Sequence, residues 1–519
     1  MTARELAGHL ARAWCAAGTS VLFGVPGGGA NLDVVGAAEA ADMRFVLAHD
    51  ETAAAIMAAT HGLVTGTVGA AVVTRGPGVT AAATGLAQAT LDRFPLLLVS
   101  DTVPHRTAGR TAHQRLDQET MARPLTKWSG TLGTRDPESV AHAAVVLARS
   151  GPAGGVHLSL DATAEGDPPP AVAAAPDLDA VALEGALACV RRARHPVVLV
   201  GPAGVDAPGL GRFAALGVPT MCTYQAKGAV PDEASAGLFT GGVLERPLLE
   251  RADLVLAVGV DPVEAIPSTW AYDAPVVMLH PEPVDGRWFG DPQVVVGPLA
   301  CTVPAVLDVV ESRWEPSTAS AHRRRVLAAL EPGGPGFSPH DVVHELADWA
   351  GATATLTVDA GAHMLVVMPL WSTSAPRRVL ISNGLATMGF ALPAAVGAAL
   401  ARPGEQVVCC VGDGGLGMTL AELETIVRLD LDITVVVFDD AALSLIEIKQ
   451  TEGQGAAGAV RYGAIDFAEV ARGLGMRAEW VTSRRDLRAL LGSHVRGPAL
   501  IDARIDPASY AAVLQATRG

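Results

Sequence analysis

The stretch GDGGLGMTLAELETIVRLDLDITVVVFDD, Gly412 to Asp440, constrains this chain more than any other. An apolar run ends at Val411 and Gly412-Asp413-Gly414-Gly415 turns the chain. The spacing predicts a helix over Leu420–Leu429, and Ile433–Phe438 reads as a second buried strand. Strand, helix and strand in this order make one parallel unit, so Asp413 and Asp440 stand at the carboxyl ends of two strands of one sheet. Hard oxygen ligands at such strand ends suit a divalent cation such as Mg²⁺, which keeps phosphate oxygens in its shell. Glycines let backbone N–H groups approach a phosphate closely. GDGG alone is an ordinary strand-to-helix turn. The second acid, at the end of the next strand, makes the pair read as a site for a diphosphate held through a metal.

At 519 residues the chain has room for about three domains of ~150 residues. Half the residues are hydrophobic, 18% are charged and 4% are aromatic. Richness in Ala and Gly suggests tight helix packing on near-continuous apolar strands, the habit of parallel sheets. A net charge of −16 argues against nucleic acid as a partner. The one dense basic run, Arg323-Arg324-Arg325, reads as a solvated helix face. Six cysteines form no CxxC and stand near no His cluster, so neither zinc nor a disulfide framework is indicated, and Cys409-Cys410 reads as core packing. MTARELAGHLARAW reads as an amphipathic helix and not a signal peptide. Ile381–Ala401 lacks charge, yet Asn383, Gly384, Gly389, Pro393 and Gly397 make it a strand end, a loop and a buried helix and not a membrane span. A cytoplasmic enzyme with no membrane partner is expected.

Two breaks divide the sequence. Asp167-Pro168-Pro169-Pro170, running on through Ala-rich residues to about Ala180, reads as a stiff linker. Glu331-Pro332-Gly333-Gly334-Pro335-Gly336 is the second, after which Ser338-Pro339 reads as an N-cap followed by Pro at the first helical position. Each of the three segments alternates strand and helix signals. Strands are expected at Val21–Gly24, Ala70–Thr74 and Leu96–Ser100, then at Pro196–Val200, Leu254–Val258 and Val276–Leu279. The third segment should carry Thr355–Val358, Gln406–Val411, Ile433–Phe438 and Ala499–Ile501. The expectation is an α/β chain of three doubly wound parallel-sheet domains, spanning 1–166, 180–315 and 337–519.

The Gly412–Asp440 stretch resembles the cofactor motif of the thiamine-diphosphate enzymes of the pyruvate decarboxylase and acetohydroxyacid synthase type. That pattern is GDG, a gap of this length, then usually Asn-Asn, where this chain has Asp439-Asp440. The resemblance implies a pyrimidine-binding, a central and a diphosphate-binding domain, in that order. It implies that Asp413, Asp440 and the main-chain carbonyl of Ala442 bind Mg²⁺. An Asp at the second position is the form associated with flavin-free, catabolic acetolactate synthases.

Other loops match in order. His49-Asp50-Glu51 follows a strand and opens a helix. Alone, Glu51 is an ordinary acid in a first turn. By resemblance it hydrogen-bonds N1′ of the aminopyrimidine, the contact that lets N4′ take the thiazolium C2 proton. His49 and Asp50 depart from the more usual Arg-His. Phe23–Gly29 ends the first strand, and by resemblance Pro26, Gly28 and Gly29 line the pocket over the thiazolium. This loop offers no side chain that protonates an intermediate, which favours carboligation. Thr74-Arg75-Gly76-Pro77-Gly78 resembles the family's SGPG loop, so Thr74 and Gly76 are expected at the cofactor. Gln114, in His113-Gln114, resembles the active-site glutamine of acetolactate-type enzymes. Ala386-Thr387-Met388-Gly389 resembles the family's GTMG, which implies that Met388 props the cofactor and the Ala386 carbonyl meets N4′. Ala362 and His363 resemble a diphosphate-contacting loop. Leu443, Ser444 and Leu445 stand where cofactor- and substrate-contacting residues are expected.

Gly259-Val260-Asp261-Pro262-Val263-Glu264-Ala265-Ile266-Pro267 lacks the arginines of flavin-binding relatives, so FAD is not expected; Gly201-Pro202-Ala203-Gly204 reads as a structural turn. The resemblance implies a carboligase acting on a 2-oxo acid, pyruvate, and a second carbonyl, acetolactate synthase-like. It also implies a homodimer or homotetramer with active sites between chains. A non-ligating decarboxylase or another acyloin enzyme is the alternative within the class. Retention of Glu51 argues against an inactive regulatory subunit, and the missing GxGxxG against a dehydrogenase.

Overall fold

The computed structural model describes residues 1–265, 269–331, 336–451 and 458–518. Three six-stranded parallel sheets organise it. The first holds β1 (Val21–Val25), β2 (Arg44–Leu47), β3 (Gly69–Val73), β4 (Leu96–Asp101), β5 (Trp128–Leu132) and β6 (Gly155–Leu160), in the order β2-β1-β3-β4-β6-β5. The second holds β7 (Pro196–Val200), β8 (Thr220–Cys222), β9 (Gly237–Leu238), β10 (Leu254–Val258), β11 (Val276–His280) and β12 (Gln293–Val296), in the order β12-β11-β10-β7-β8-β9. The third holds β13 (Thr355–Val358), β14 (Val379–Ile381), β15 (Val407–Gly412), β16 (Ile433–Asp439), β17 (Arg477–Val481) and β18 (Ala499–Arg504), in the order β14-β13-β15-β16-β18-β17. The first and third sheets thus share one order, and the expected α/β architecture of three doubly wound sheets is borne out.

The central strands are legible because both faces are buried. β4 and β16 are buried at every position, and every expected strand lies within about a residue of its observed start. Eight further strands are mostly short or broken by polar residues, although β14 is apolar and buried throughout. Edge strands β2 and β17 expose about every second residue, and β9 has only two residues. Cys409 and Cys410 alternate across β15 and enter different cores, as strand pleating requires.

Two local expectations are corrected. The helix expected over Leu420–Leu429 is observed at Glu422–Arg428, but the glycine turn expected before it is itself a helix, Asp413–Thr419. Gly414, Gly415 and Gly417 therefore lie inside a helix and do not form a turn. Gly415 is required there because a Cβ would stand 1.9 Å from Asp359 Oδ2. The Arg323-Arg324-Arg325 run is only partly solvated, since Arg323 pairs with Asp232 and donates to its carbonyl. Residues 167–179 form neither helix nor strand, and Ser338 makes a capping box with Asp341 ahead of Pro339. Pro332 to Pro335 of the second linker, and Ile266-Pro267, lie outside the described residues.

One core joins the first and third sheets. Helix Glu51–Thr65 packs along helix Ala391–Ala401, and both are built of small buried residues. A Cβ on Gly397 would stand 2.4 Å from the Met57 carbonyl oxygen, so the two backbones touch. Ala-richness is the sequence cause of that approach. Among the described residues no helix is long and apolar enough to cross a membrane.

Candidate active site

In sheets of this kind the crevice opens where strand order reverses, at the carboxyl ends of the strands. In the third sheet that point lies between β13 and β15. β13 delivers Asp359 and His363, β15 delivers Gly412 and Asp413, and β16, beside β15, delivers Asp440.

Asp413 is buried and accepts hydrogen bonds from the Gly414 N–H (2.7 Å) and the Ala442 N–H (3.2 Å). Asp440 accepts from the Ser444 hydroxyl at 2.5 Å. Burial, then the charge of Asp440, pushes Asp413 up to about 7. Burial likewise pushes Asp440 up to about 6, against the Ser444 hydrogen bond that lowers it. Neither acid has a cationic partner among the described residues. Two desolvated, mutually repelling carboxylates fit a hard divalent cation, which would relieve both. Among the described residues no group of three or more His, Cys, Asp or Glu is placed to hold a metal ion.

Around the acids the chain leaves a cradle. A Cβ on Gly414 would stand 2.4 Å from the Tyr462 hydroxyl, 2.8 Å from Leu443 Cδ2 and 3.4 Å from Met388 Cε. Met388 is half-buried, so it is a wall of this crevice and not core. His363 stacks on Phe438 at 5.3 Å, and its ring donates to the Cys410 carbonyl. Its Nε2 is buried without a partner, and burial lowers its pKa to about 4. The ring lies against Gly412 through Nδ1 and Cε1, while its Nε2 is the unsatisfied nitrogen. Asp359 accepts from the N–H groups of Gly389 (2.9 Å), Phe390 (2.7 Å) and Ala391 (3.1 Å), which fixes the Met388 loop to the sheet. Ala386 in that loop has φ 56°, the left-handed region that Gly favours. Ala362 is buried at the end of the β13 loop, and Leu445 packs on the third core.

The first sheet has its own reversal, between β1 and β3. There Gly27 lies on Thr74 (a Cβ would be 2.5 Å from Oγ1) and Gly29 lies on Asp101 (2.1 Å from Oδ2), while Gly28 faces open space. Asp101 ties this corner together. It accepts from Asn31 Nδ2 (2.9 Å) and the Arg75 N–H (2.7 Å). Gly76, at φ 65°, lies against Gln114, which is exposed at φ 54° and so brings the Gln114 loop to the Thr74–Gly76 loop. Glu51 opens its helix behind the N-cap Asp50, which accepts from the Ala53 N–H at 3.0 Å. Glu51 Oε1 would lie 3.3 Å from a Cβ on Gly78, and burial raises its pKa. No side chain among the described residues pairs with its carboxyl.

Two groups of the expected residues are thus assembled, one on each sheet. Pro26, Gly28, Gly29, Glu51, Thr74, Gly76 and Gln114 belong to the first, and Ala362, His363, Ala386, Met388, Gly412–Gly415, Asp440 and Ala442–Leu445 to the second. Among the described residues no hydrogen bond or ion pair links Glu51, Thr74, Gly76 or Gln114 to Asp413, Asp440 or Met388. What pins the sheets is Glu422, which accepts from the His49 and Asp50 N–H groups at 2.8 and 3.2 Å, with His49 bonded to Glu424 at 2.8 Å. Asp101, Glu422 and Tyr462 were not visible as site residues in the sequence. Their partners are distant in the chain and no local pattern marks them.

Models of the N-terminal and C-terminal TPP-binding domains of thiamine pyrophosphate enzymes, whose cofactor is thiamine diphosphate, match residues 4–121 and 359–503. Over 94% of its length the chain is 30% identical to the acetolactate synthase of Bacillus subtilis (strain 168), covering 91% of that protein. It is 31% identical to the catabolic acetolactate synthase of Raoultella terrigena (95% of this chain, 93% of that one) and 29% identical to the isozyme 1 large subunit of Escherichia coli K12 (94% and 92%). The chain belongs to the acetolactate synthase family of thiamine-diphosphate enzymes, and the resemblance carried by its loops is borne out.

Proposed function

We propose that this enzyme decarboxylates pyruvate and joins the two-carbon fragment to a second carbonyl, forming 2-acetolactate when that carbonyl is another pyruvate. The observation that carries the reading is the pair of desolvated carboxylates, buried Asp413 and half-buried Asp440, at the third sheet's reversal, with no cationic side chain paired to either among the described residues. Asp413, Asp440 and the main-chain oxygen of Ala442 would hold Mg²⁺. His363, Ala362, Gly412, Gly414, Gly415 and Ser444 would face the diphosphate, and Met388, Ala386 and Leu443 the rings. Thiamine diphosphate, when bound, supplies the nucleophilic carbon and the electron sink.

The chain's residues do the rest. Glu51, half-buried and with its pKa raised by burial, would hydrogen-bond a ring nitrogen. Thr74 and Gly76 border it. Pro26 to Gly29 carry no acid or base, so this wall would offer no proton donor to the reacting centre, which favours carboligation. Gln114, a neutral amide, orients substrate oxygens, with Leu445 on the apolar side.

We further propose that the spans 1–166, 180–315 and 337–519 are the pyrimidine, central and diphosphate domains, and that at least two chains assemble. The two residue groups are separate within one chain. Leu32, Leu116 and Met418 are exposed beside the glycine loop, Gln114 and Asp413 respectively, as a second copy covering the site would require. The enzyme is read as flavin-free. Supporting this, Asp261 is spent on Arg93 (2.6 Å) and Glu264 on Thr223, Gln225 and Asn383. The N–H groups of Gly201, Ala203 and Gly204 bond to Val258, Gly259 and Gly201 carbonyls, the structural turn expected of them. A cytoplasmic location accords with six unpaired cysteines.

Incubation with 2-oxo acids, singly and paired with aldehydes, followed by product identification tests the reading. Acetolactate from pyruvate is expected; release of free aldehyde alone would make the enzyme a plain decarboxylase.

A further inference from the structure

The segment after residue 457 returns to the acid pair. Leu443 N–H donates to the Val460 carbonyl at 2.8 Å, Tyr462 N–H donates to the Ala441 carbonyl at 3.3 Å, and Ala442 bridges Arg461 in antiparallel fashion. Arg461 grips Glu447 through two hydrogen bonds of 2.6 and 2.9 Å, which fixes this strap to helix Ser444–Thr451. The pairing carries the Tyr462 phenol over Gly414, where its hydroxyl fills the space a Cβ would take. Burial, then the charge of Asp413, pushes the phenol up to about 12, so the hydroxyl stands protonated beside that carboxylate. Although it reaches this buried acid, Tyr462 remains 42% exposed, so its ring borders the open crevice and is not core.

A hydroxyl donor at this spot has two employments. Without a cation it stands beside the desolvated carboxylate of Asp413. Once a cation takes Asp413 and its neighbour Asp440, the same donor is left beside Gly414, in the cradle, with no hydrogen bond to another side chain among the described residues. We infer that Tyr462 is a diphosphate-binding residue: it stands beside Asp413 in the cofactor-free enzyme and gives its O–H to a diphosphate oxygen when the metal–diphosphate enters. The inference rests on the thiamine-diphosphate reading of the acid pair, and it adds a ligand contact from a strap that the GDG-to-Asp440 motif does not include.

The test is calorimetric titration of the cofactor-stripped full chain with thiamine diphosphate at saturating Mg²⁺. Tyr462→Phe removes only the hydroxyl of a half-exposed residue, so thermal unfolding of the cofactor-free chain should change little. Its affinity is expected to fall about tenfold, the size of one hydrogen bond to a charged group. Magnesium pyrophosphate, which has no ring to orient, should lose affinity by a similar factor. Equal or tighter binding of thiamine diphosphate by Tyr462→Phe, or an unchanged pyrophosphate affinity, overturns the role of Tyr462 and leaves the cofactor reading standing. A wild-type chain that binds no thiamine diphosphate overturns both.

Discussion

Glu51 has a carboxyl that no side chain among the described residues answers, held half-buried at the start of a helix whose own cap is Asp50. Glu51→Gln keeps the shape and removes the carboxyl, so turnover should fall about a thousandfold while circular dichroism and melting stay as in the wild type. Undiminished turnover would remove Glu51 from the chemistry. Ala386 makes the opposite case, a side chain the fold would do better without. At φ 56° its Cβ crowds the backbone, and Ala386→Gly should stabilise the chain by about 1 kcal/mol in denaturant titrations. At this scale the sequence reveals residues set in a local pattern, such as Asp413, Asp440 and Glu51. It hides those whose partners lie far along the chain. Glu422 reaches His49 across 373 positions, and Asp101 reaches Asn31 across 70. Nothing near Glu422 or Asp101 marks either as a hub.

Elements are legible where burial is two-sided. β7, β10 and β13 were expected with their observed bounds, because an apolar run has no reading but a covered strand. Edge strands, half wet, imitate loops. The short helix from Asp413 was read as a turn because glycines usually break helices, and here Gly415 is present to clear Asp359. Gly397 is the corresponding residue between helices. Gly397→Ala pushes a methyl into the Met57 carbonyl and should cost about 1–3 kcal/mol, measured by chemical denaturation. Helix Pro339–Ala350 is tied to helix Arg484–Gly492 through Glu345, which accepts from Arg484 (2.6 Å) and Arg488 (2.6 and 2.8 Å). Hydrogen bonds from Arg488 lower Glu345 from 4.5 to about 2. A depressed carboxylate stabilises fully above its unfolded pKa and loses that contribution as pH falls through the folded one. Stability should therefore decline between about pH 4.5 and 2 by a modest margin, because both guanidinium groups are largely solvated. Glu345→Gln should flatten that part of the profile, and an unaltered profile would assign the decline to other acids.

At the scale of the molecule, the first and third sheets repeat one strand order while the middle sheet has another. That order is not legible in the sequence, since it depends on pairings that no local pattern records. Sedimentation of the purified protein should show a dimer or tetramer, and dilution to monomer should abolish activity without unfolding the chain. An active monomer would require the two residue groups to meet within one chain. The touching backbones of Met57 and Gly397 have a further consequence, for translation. At roughly 5–20 residues per second, the roughly 340 residues between them take on the order of 20–70 s to synthesise. Throughout that interval the small-residue face of helix Glu51–Thr65 waits for a partner still inside the ribosome. The nascent chain must keep a smooth apolar stripe from finding its neighbours on a polysome, a burden that falls on chaperones and not on the finished enzyme.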